Sequence, residues 1–348
     1  MKLRSIFLTL AMLAVCGIAK AHDFRLALNN QYIYFNITGE DSVEVTYKGS
    51  IKDNTPTDIA GGLVLPSQVK YNGKVYDVTA IGPKAFSGAT KLTSIEIPTG
   101  VASIGAFAFE DCTALKRVIF PSNEVTFGEG VFFGCTAIEN VSLGSDWRKV
   151  NFTMFRWSTR ITSVRISARI ERVEGLNRLK SLKSIDVDEN NRHLASYDGV
   201  LYSKDYSRLY VCPRAYSGTL SIHGNTTEVV SGSLIDAVKI KYIYIPSGVK
   251  SLSFREFSRM KNLVSVTFAS SRPINTARDY YGRYHFLLQV ANPDVVIYVP
   301  NKDAKKQYKE IIKLEPGKYS DCVESSNLYY EVKENEFPDR NKNIKVYK

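Results

Sequence analysis

Hydrophobic residues recur along this chain with a period of 23 residues. One column of leucine and isoleucine contains Leu92, Leu115, Ile138 and Ile161. Two more apolar columns follow three and five residues later, and a fourth column contains Phe86, Phe109, Phe132 and Phe155. The first column returns after an interruption, at Ile240 and Leu263. Repetition at a fixed period is typical of an architecture in which each unit buries its apolar face against its neighbours.

The spacing inside one unit predicts its secondary structure. In residues 92–98 (LTSIEIP) the aliphatic residues alternate with polar ones, which predicts a short strand with one buried face that ends at Pro98. The later stretch Ala108, Phe109 and Cys112 has the three-residue spacing of a helical turn. Strands of successive units then pair in parallel, about 4.8 Å apart. We therefore predict a repeat solenoid with a parallel β face on one side and short turns or helices on the other.

The repeats predict the domain organisation. They occupy residues 69–300, with a unit shortened to 161–181 and an expanded unit that carries a β-hairpin insertion near 198–213. Residues 22–68 alternate as short strands and are predicted to form an N-terminal β cap, because the exposed end of a solenoid needs one.

The remaining segment, 301–348, is predicted to be a C-terminal helix and tail that form a small α/β cap. Residues 302–313 have helical character, with Tyr308 on the apolar side. Residues 334–348 show little periodicity, and we expect no regular structure there.

The first 21 residues have the pattern of a signal peptide. Lys2 and Arg4 precede an apolar stretch that ends in the small-x-small sequence of residues 19–21. Cleavage after Ala21 would give a secreted or cell-surface protein. A lipoprotein anchored through Cys16 is the alternative, which Val15 disfavours because a small residue is expected there. No later apolar run is long enough to span a bilayer.

Composition and charge narrow the classes of partner. The chain is 44% hydrophobic and 23% charged, an ordinary globular balance, and its formal net charge is +11. For an exported protein this charge points to glycans, matrix proteins or a membrane surface, and not to nucleic acid. A solvated basic face without a partner is the alternative.

Catalytic and metal-binding motifs are absent from the sequence. It contains no phosphate-binding loop, no nucleophile elbow and no zinc protease motif, and its four histidines lie in unrelated units. Asp186, Asp188 and Asn190 begin like a calcium loop, but Asn191 and Tyr197 replace the glycine and glutamate that such a loop requires. A polar turn is the better interpretation. We predict a protein that is not an enzyme and needs no cofactor or metal.

Cys112 and Cys135 lie one repeat apart in a column of small residues. Ala89 and Ser158 occupy the same column, which favours free thiols that serve as small buried side chains. A disulfide is the alternative, since export would permit one.

Residues 92–98 together with 104–112 (IGAFAFEDC) resemble the BspA-like leucine-rich repeat of exported bacterial surface proteins of the Bacteroides type. Residues 185–191 and 198–202 are similar to an insertion common in that family. The resemblance implies a leucine-rich repeat solenoid that binds without catalysis and adheres to host matrix proteins, other cells or glycans. The alternative is a structural or envelope-organising protein with no dedicated ligand.

Residues beside the buried strand aliphatics are expected to face solvent and to form a partner-binding strip for a protein or glycan. This strip contains Arg117, Arg165, Asp186, Tyr242 and Tyr244, with the two tyrosines as its best anchor. A second candidate is a contact loop that contains Tyr280, Tyr281, Arg283 and Tyr284, although a lid over the last repeat is an equally good interpretation. Of the other aromatic residues, we expect Trp147 and Trp157 to be exposed.

Overall fold

The computed structural model describes residues 22–28, 30–49, 58–252, 254–257, 259–276, 295–313 and 344–346. The first strands are β1 (Phe24–Leu28), β2 (Gln31–Ile37), β3 (Ser42–Thr46), β4 (Ala60–Val64), β5 (Gln68–Tyr71) and β6 (Lys74–Ile81). The next are β7 (Lys91–Glu96), β8 (Ser103–Ile104), β9 (Arg117–Ile119), β10 (Thr126–Phe127), β11 (Asn140–Ser142), β12 (Lys149–Asn151), β13 (Ser163–Ile166), β14 (Arg172–Glu174) and β15 (Ser184–Val187).

The later strands continue the same alternation. They are β16 (Leu194–Tyr197), β17 (Val200–Ser203), β18 (Arg208–Val211), β19 (Ser217–Ser221), β20 (Glu228–Val229), β21 (Lys239–Ile245), β22 (Ser251–Leu252), β23 (Ser265–Phe268), β24 (Asn275–Thr276), β25 (Val296–Val299) and β26 (Ile344–Val346). One α-helix, α1 (Lys302–Lys313), and three 3-10 turns, Phe152–Phe155, Leu176–Arg178 and Phe254–Phe257, complete the described elements.

The strands form two parallel ladders. The first, which we call the strand face, runs β4-β7-β9-β11, then β13-β15, then β19-β21-β23-β25-β26. It confirms the predicted parallel solenoid. The second ladder contains β3-β6-β8-β10, β12-β14 and β18-β20-β22-β24. The repeat pattern does not predict this second ladder, because most of its strands are only two or three residues long.

The N-terminal strands join both ladders. β1, β2 and β3 form an antiparallel meander, and β3 then pairs in parallel with β6 on the second ladder. β4 pairs in parallel with β7 on the strand face. The parallel pairing therefore begins before residue 69, inside the segment 22–68 that was predicted as a separate cap.

The expanded unit carries an antiparallel arm of three strands, β16, β17 and β18. Its tight turn at Asp198 and Gly199 packs against Ser184 of β15, and the backbone N–H of Ile185 donates to the Gly199 carbonyl at 2.9 Å. Gly199 has a φ of +74°, and a Cβ there would meet the Ser184 Cβ at 3.1 Å, so the close approach requires glycine. The arm therefore fills the place beside β15 where the next strand of the strand face would pair.

The C-terminal helix covers the last repeat. α1 has the predicted bounds, and its Tyr308 is fully buried with its ring centroid 5.3 Å from that of Phe268. The expectation of no regular structure over 334–348 is wrong in part, since β26 pairs in parallel with β25. The extra strand extends the strand face by one more rung.

The phenylalanine column forms a continuous stack through the core. The ring centroids of Phe86 and Phe109 lie 5.1 Å apart, those of Phe109 and Phe132 5.2 Å, and those of Phe132 and Phe155 4.9 Å. All four rings are buried. These separations nearly equal the spacing of paired strands, so backbone pairing and ring stacking have the same repeat length.

Small side chains beside this stack bond to the preceding rung. The Cys112 thiol donates to the Phe86 carbonyl at 3.2 Å, and the Cys135 thiol donates to the Phe109 carbonyl at 2.9 Å. Ser158 repeats the contact through its hydroxyl, which donates to the Cys135 carbonyl at 3.2 Å. Both cysteines are free thiols, as predicted. A hydrogen bond with the Cys135 side chain and burial raise the pKa of Cys112, which keeps its thiol protonated as a donor.

Trp147 does not lie on the surface as expected. It is 1% exposed, and its indole N–H donates to the Asn123 carbonyl at 2.7 Å while its ring packs near Phe120 and Phe127. A satisfied indole donor allows this large side chain to be buried. Trp157 is 41% exposed, as expected, and lies edge-on to Phe133.

A buried carboxylate organises the irregular turn after β20. Glu256 is completely buried, and it accepts hydrogen bonds from the backbone N–H groups of Gly232 at 2.5 Å and Leu234 at 2.7 Å. Burial raises the pKa of Glu256, while the two N–H donors act in the opposite direction. One side chain therefore bonds to backbone groups of the preceding unit across the stack.

The phenylalanine stack predicts that alanine substitutions at two adjacent residues, Phe132 and Phe133, differ strongly in their effect on the free energy of unfolding. Phe132→Ala should lower the free energy of unfolding by about 3–5 kcal/mol, because it removes a fully buried ring and leaves a cavity. Phe133→Ala is the matched control, since Phe133 is adjacent in sequence but 40% exposed, and it should cost about 1 kcal/mol or less. Urea denaturation of the three proteins measures both values. Equal losses would contradict the stacked core.

Removal of the buried carboxylate should destabilise the protein. Glu256→Ala leaves two backbone N–H groups without their acceptor, and we expect a loss of about 2 kcal/mol in the free energy of unfolding. The exposed Glu129 provides the control, because Glu129→Ala should stay within about 0.5 kcal/mol of the wild type. An unchanged midpoint for Glu256→Ala in urea denaturation would show that the carboxylate is dispensable.

The pH dependence of this difference has a defined sign. Because the pKa of Glu256 is raised in the folded state, the native protein holds this proton more tightly than the unfolded chain. The contribution of Glu256 to the free energy of unfolding is full below the pKa that this side chain has in the unfolded chain. It is lost as pH rises through the pKa of Glu256 in the folded protein. The stability advantage of the wild type over Glu256→Ala should therefore shrink as pH increases in that window. Urea titrations over a pH series test this, and an advantage that grows with pH would refute it.

Candidate functional site: the strand face

The predicted strip lies on exposed positions of the strand face. Arg117 is on β9, Arg165 on β13, Asp186 on β15, and Tyr242 and Tyr244 are on β21. All five side chains are exposed, and each has a buried strand residue next to it on at least one side. The period-two pattern thus placed these residues on the solvent side, as a strand with one buried face requires.

The strand face is not continuous, and this separates the strip into three parts. Parallel pairing joins β9 to β11, β13 to β15, and β19 to β21, but no strand pairing links β11 to β13 or β15 to β19. Arg117 and Arg165 therefore lie in different segments, and the two tyrosines lie in a third. The structure brings together Arg165 with Asp186, and Tyr242 with Tyr244, but it does not bring together the whole strip.

Arg165 is not a free cation. Its guanidinium lies 3.0 Å from the Asp186 carboxylate and 3.5 Å from that of Asp188. Arg165 and Asp186 are register partners in the parallel pairing of β13 and β15, so this ion pair follows directly from the repeat. Arg117 forms no ion pair within the part of the chain that the structure describes. The strip thus presents one uncompensated arginine.

The turn after β15 has the contacts of a polar turn. The Asp188 carboxylate accepts from the backbone N–H of Asn190 at 3.0 Å, which with other contacts lowers the pKa of Asp188. Asn191 is buried; its amide donates to the Ser167 and Ile170 carbonyls, and its oxygen accepts from two backbone N–H groups. Within the described ranges no group of three or more acidic, histidine or cysteine side chains is arranged to hold a metal ion.

Tyr242 and Tyr244 form an exposed aromatic pair. Their exposed fractions are 44% and 39%. On the neighbouring rungs Tyr242 lies opposite Thr219 and Ser265, while Tyr244 lies opposite serine and threonine. Because these neighbours are small, they leave both rings open to solvent. The buried residues Ile243 and Ile245 hold the strand in place beneath them.

A basic groove lies along the N-terminal ends of several strands of the strand face. It was not among the predicted sites. We define it by Arg160, Lys180, Lys183 and Lys239, with Glu139 as its one acidic lining residue; the groove is open and has a volume of about 620 Å³. A smaller hollow of about 310 Å³ adjoins it and shares Lys183. The hollow also contains Asp198, whose carboxylate accepts a hydrogen bond from the Tyr216 hydroxyl. Lysines at or shortly before the starts of β15 and β21 are the sequence signal, but the repeat columns do not show that these starts share one surface.

The contact loop with Tyr280, Tyr281, Arg283 and Tyr284 lies outside the described residues, as does the predicted signal peptide 1–21. Among the helices that the structure describes, none has the length and apolar character needed to cross a membrane.

Comparison with known proteins identifies the repeat. The family model of the BspA type leucine rich repeat region matches residues 76–197 and 217–283 in six copies. A leucine-rich repeat protein from Bacteroides ovatus is similar in structure, with 21% identity and a TM-score of 0.50 over 80% of this chain and 71% of that one. No curated protein matches the chain.

Two other solved structures are also similar. The pneumococcal vaccine antigen PcpA shares 16% identity, with a TM-score of 0.47 over 83% of this chain and 96% of that one. A leucine-rich repeat protein from Eubacterium ventriosum shares 16% identity, with a TM-score of 0.43 over 78% of this chain and 77% of that one. The family model itself covers more than half of the residues, and the chain belongs to the BspA-type leucine-rich repeat family.

Proposed function

We propose that this protein is an exported or cell-surface module that binds a macromolecule without catalysis, in the manner of an adhesin. Proteins of the BspA-type family are typically surface or secreted, and their repeat solenoids are generally non-catalytic interaction modules. The basic and apolar pattern of residues 1–21 supports export, with cleavage after Ala21. In this proposal residues 22–68 and 301–348 are the two ends of the solenoid and 69–300 its repeats.

The observation that carries the proposal is the exposed pair Tyr242 and Tyr244 on a paired strand. Tyrosine presents a large apolar ring and a polar hydroxyl, and it loses little conformational entropy when it is held at an interface. β21 is paired on both sides, by β19 and β23, so the strand that carries the two rings is already rigid before a partner arrives. Arg117 and the ion pair between Arg165 and Asp186 are proposed as peripheral polar contacts of the same face.

The loop with Tyr280, Tyr281, Arg283 and Tyr284 is proposed as a second contact region on composition alone. Aromatic and arginine side chains dominate the energetics of protein interfaces, and this loop is dense in both. In the sequence it falls between β24 and β25.

The experiment is binding of the purified protein to an array of matrix proteins and glycans. We expect saturable binding to at least one component, reduced about tenfold or more in Tyr242→Ala/Tyr244→Ala, because truncation of interface tyrosines often costs about 2 kcal/mol. The matched control is Tyr32→Ala/Tyr197→Ala, which removes two equally exposed tyrosines that lie off the strand face.

Each outcome of this experiment has a defined meaning. The control variant should bind like the wild type, and all variants should have the same melting temperature. Unchanged binding by Tyr242→Ala/Tyr244→Ala would remove the tyrosine pair from the site and favour the loop at 280–284. Absence of binding to every component would contradict the adhesin proposal and favour the structural alternative.

A further inference from the structure

The basic groove gathers four cationic side chains on one concave surface. Three arginines outside the groove pair with acidic residues of an adjacent rung: Arg148 with Glu171 at 2.6 Å, Arg169 with Asp146 at 2.7 Å, and Arg259 with Asp236 at 2.9 Å. The charges of Arg148 and Arg169 are compensated in this way, while Asp236 is shared with Arg214 at 3.3 Å.

Among the described residues that line the groove, one cation is compensated by an acidic side chain. Arg160 lies 3.0 Å from the Glu139 carboxylate. Lys180, Lys183 and Lys239 are exposed and form no ion pair with any residue that the structure describes. Three uncompensated ammonium groups therefore line one concave surface, where their combined field attracts anions.

The other lining groups indicate what kind of anion fits. They are short and polar, apart from the methyl group of Ala215: Asn140, Thr159, Thr162, Ser163 and Ser181. No aromatic or large aliphatic side chain is among them. A bound protein usually inserts apolar or aromatic anchors into pockets, and this groove has no apolar pocket to receive them. Hydroxyl and amide groups instead complement a ligand that carries many hydroxyls.

The shape of the groove suits an extended polymer. Its lining residues come from the beginnings of five successive strands of the strand face, β11, β13, β15, β19 and β21. Paired strands lie about 4.8 Å apart and the two unpaired intervals are no shorter, so these five strands span on the order of 20 Å or more. Both interruptions of the strand face lie inside this span, where the shortened unit 161–181 and the expanded unit alter the regular stacking.

We propose that the basic groove binds an acidic polysaccharide, with Lys180, Lys183 and Lys239 contacting its carboxylate or sulfate groups. The serine, threonine and asparagine side chains bond to its hydroxyl groups. This inference shares with the proposed function the requirement that the protein is exported. Its ligand class and its surface are separate, and they do not involve Tyr242 or Tyr244.

The test uses four polymers on the purified protein: dextran sulfate, polygalacturonate, uncharged dextran and poly-L-glutamate. We expect one or both acidic polysaccharides to bind, and the better of the two identifies sulfate or carboxylate as the preferred group. Uncharged dextran should not bind, and poly-L-glutamate should bind at least about tenfold more weakly at equal charge. Higher salt should weaken binding, since the contacts are largely ionic.

The decisive variant is Lys180→Ala/Lys183→Ala/Lys239→Ala, which should lower the polysaccharide affinity about tenfold or more. Its matched control is Lys70→Ala/Lys250→Ala/Lys261→Ala, which removes the same charge from exposed positions that do not line the groove. Both variants should melt like the wild type, because all six side chains are exposed.

Three results would overturn the inference: no binding of either acidic polysaccharide, binding of poly-L-glutamate as tight as theirs, or an equal loss in the control variant. Tight poly-L-glutamate binding would point to an acidic protein segment as the ligand. The tyrosine variant separates the two proposals. Suppose that Tyr242→Ala/Tyr244→Ala loses binding to the array and that the wild type binds no acidic polysaccharide. That result would refute the groove proposal and leave the proposed function supported.

Discussion

Every unit of this protein depends on parallel backbone pairing with the next unit at a fixed register. A strand of three or four residues with one apolar face cannot bury that face by itself, so the core exists only where rungs stack. The phenylalanine rings of Phe86, Phe109, Phe132 and Phe155 lie 4.9 to 5.2 Å apart, close to the spacing that strand pairing imposes. Ring stacking and the hydrogen bonds of Cys112 and Cys135 therefore reinforce one geometry.

The apolar residues that recur every 23 positions were sufficient to predict the strand face, because residues of one column occupy the same buried place in successive units. They did not reveal the second ladder, since strands such as β8 and β10 have two residues and show no alternation. Trp147 was misplaced because it stands outside the columns, and its burial depends on a carbonyl acceptor at Asn123 that belongs to another rung. The pairing of β26 with β25 likewise joins segments far apart in sequence.

The candidate site could be predicted only in part for the same reason. Period two placed Tyr242 and Tyr244 on the exposed side of one strand, and both are exposed. The ion pair of Arg165 with Asp186 was also accessible to sequence reasoning, because the two residues occupy the same place in successive units. The basic groove was not, since Lys180 and Lys239 are brought to one surface by a shortened unit and an insertion whose geometry the columns do not specify.

In this solenoid a regular repeat favours stable stacking, whereas a ligand-binding surface needs side chains that differ from one unit to the next. A perfect repeat presents the same side-chain positions on every rung, and its charged positions can be compensated by the next rung, as Arg148 and Arg169 are. Exposed surface pairs of this kind add little to stability, but they leave a surface without strong local charge. A concentration of uncompensated charge is favoured by a departure from the repeat, and both interruptions of the strand face lie at the basic groove. The interrupted units therefore form the basic groove, while the regular units on either side form the rigid frame that holds it and carry the tyrosine pair.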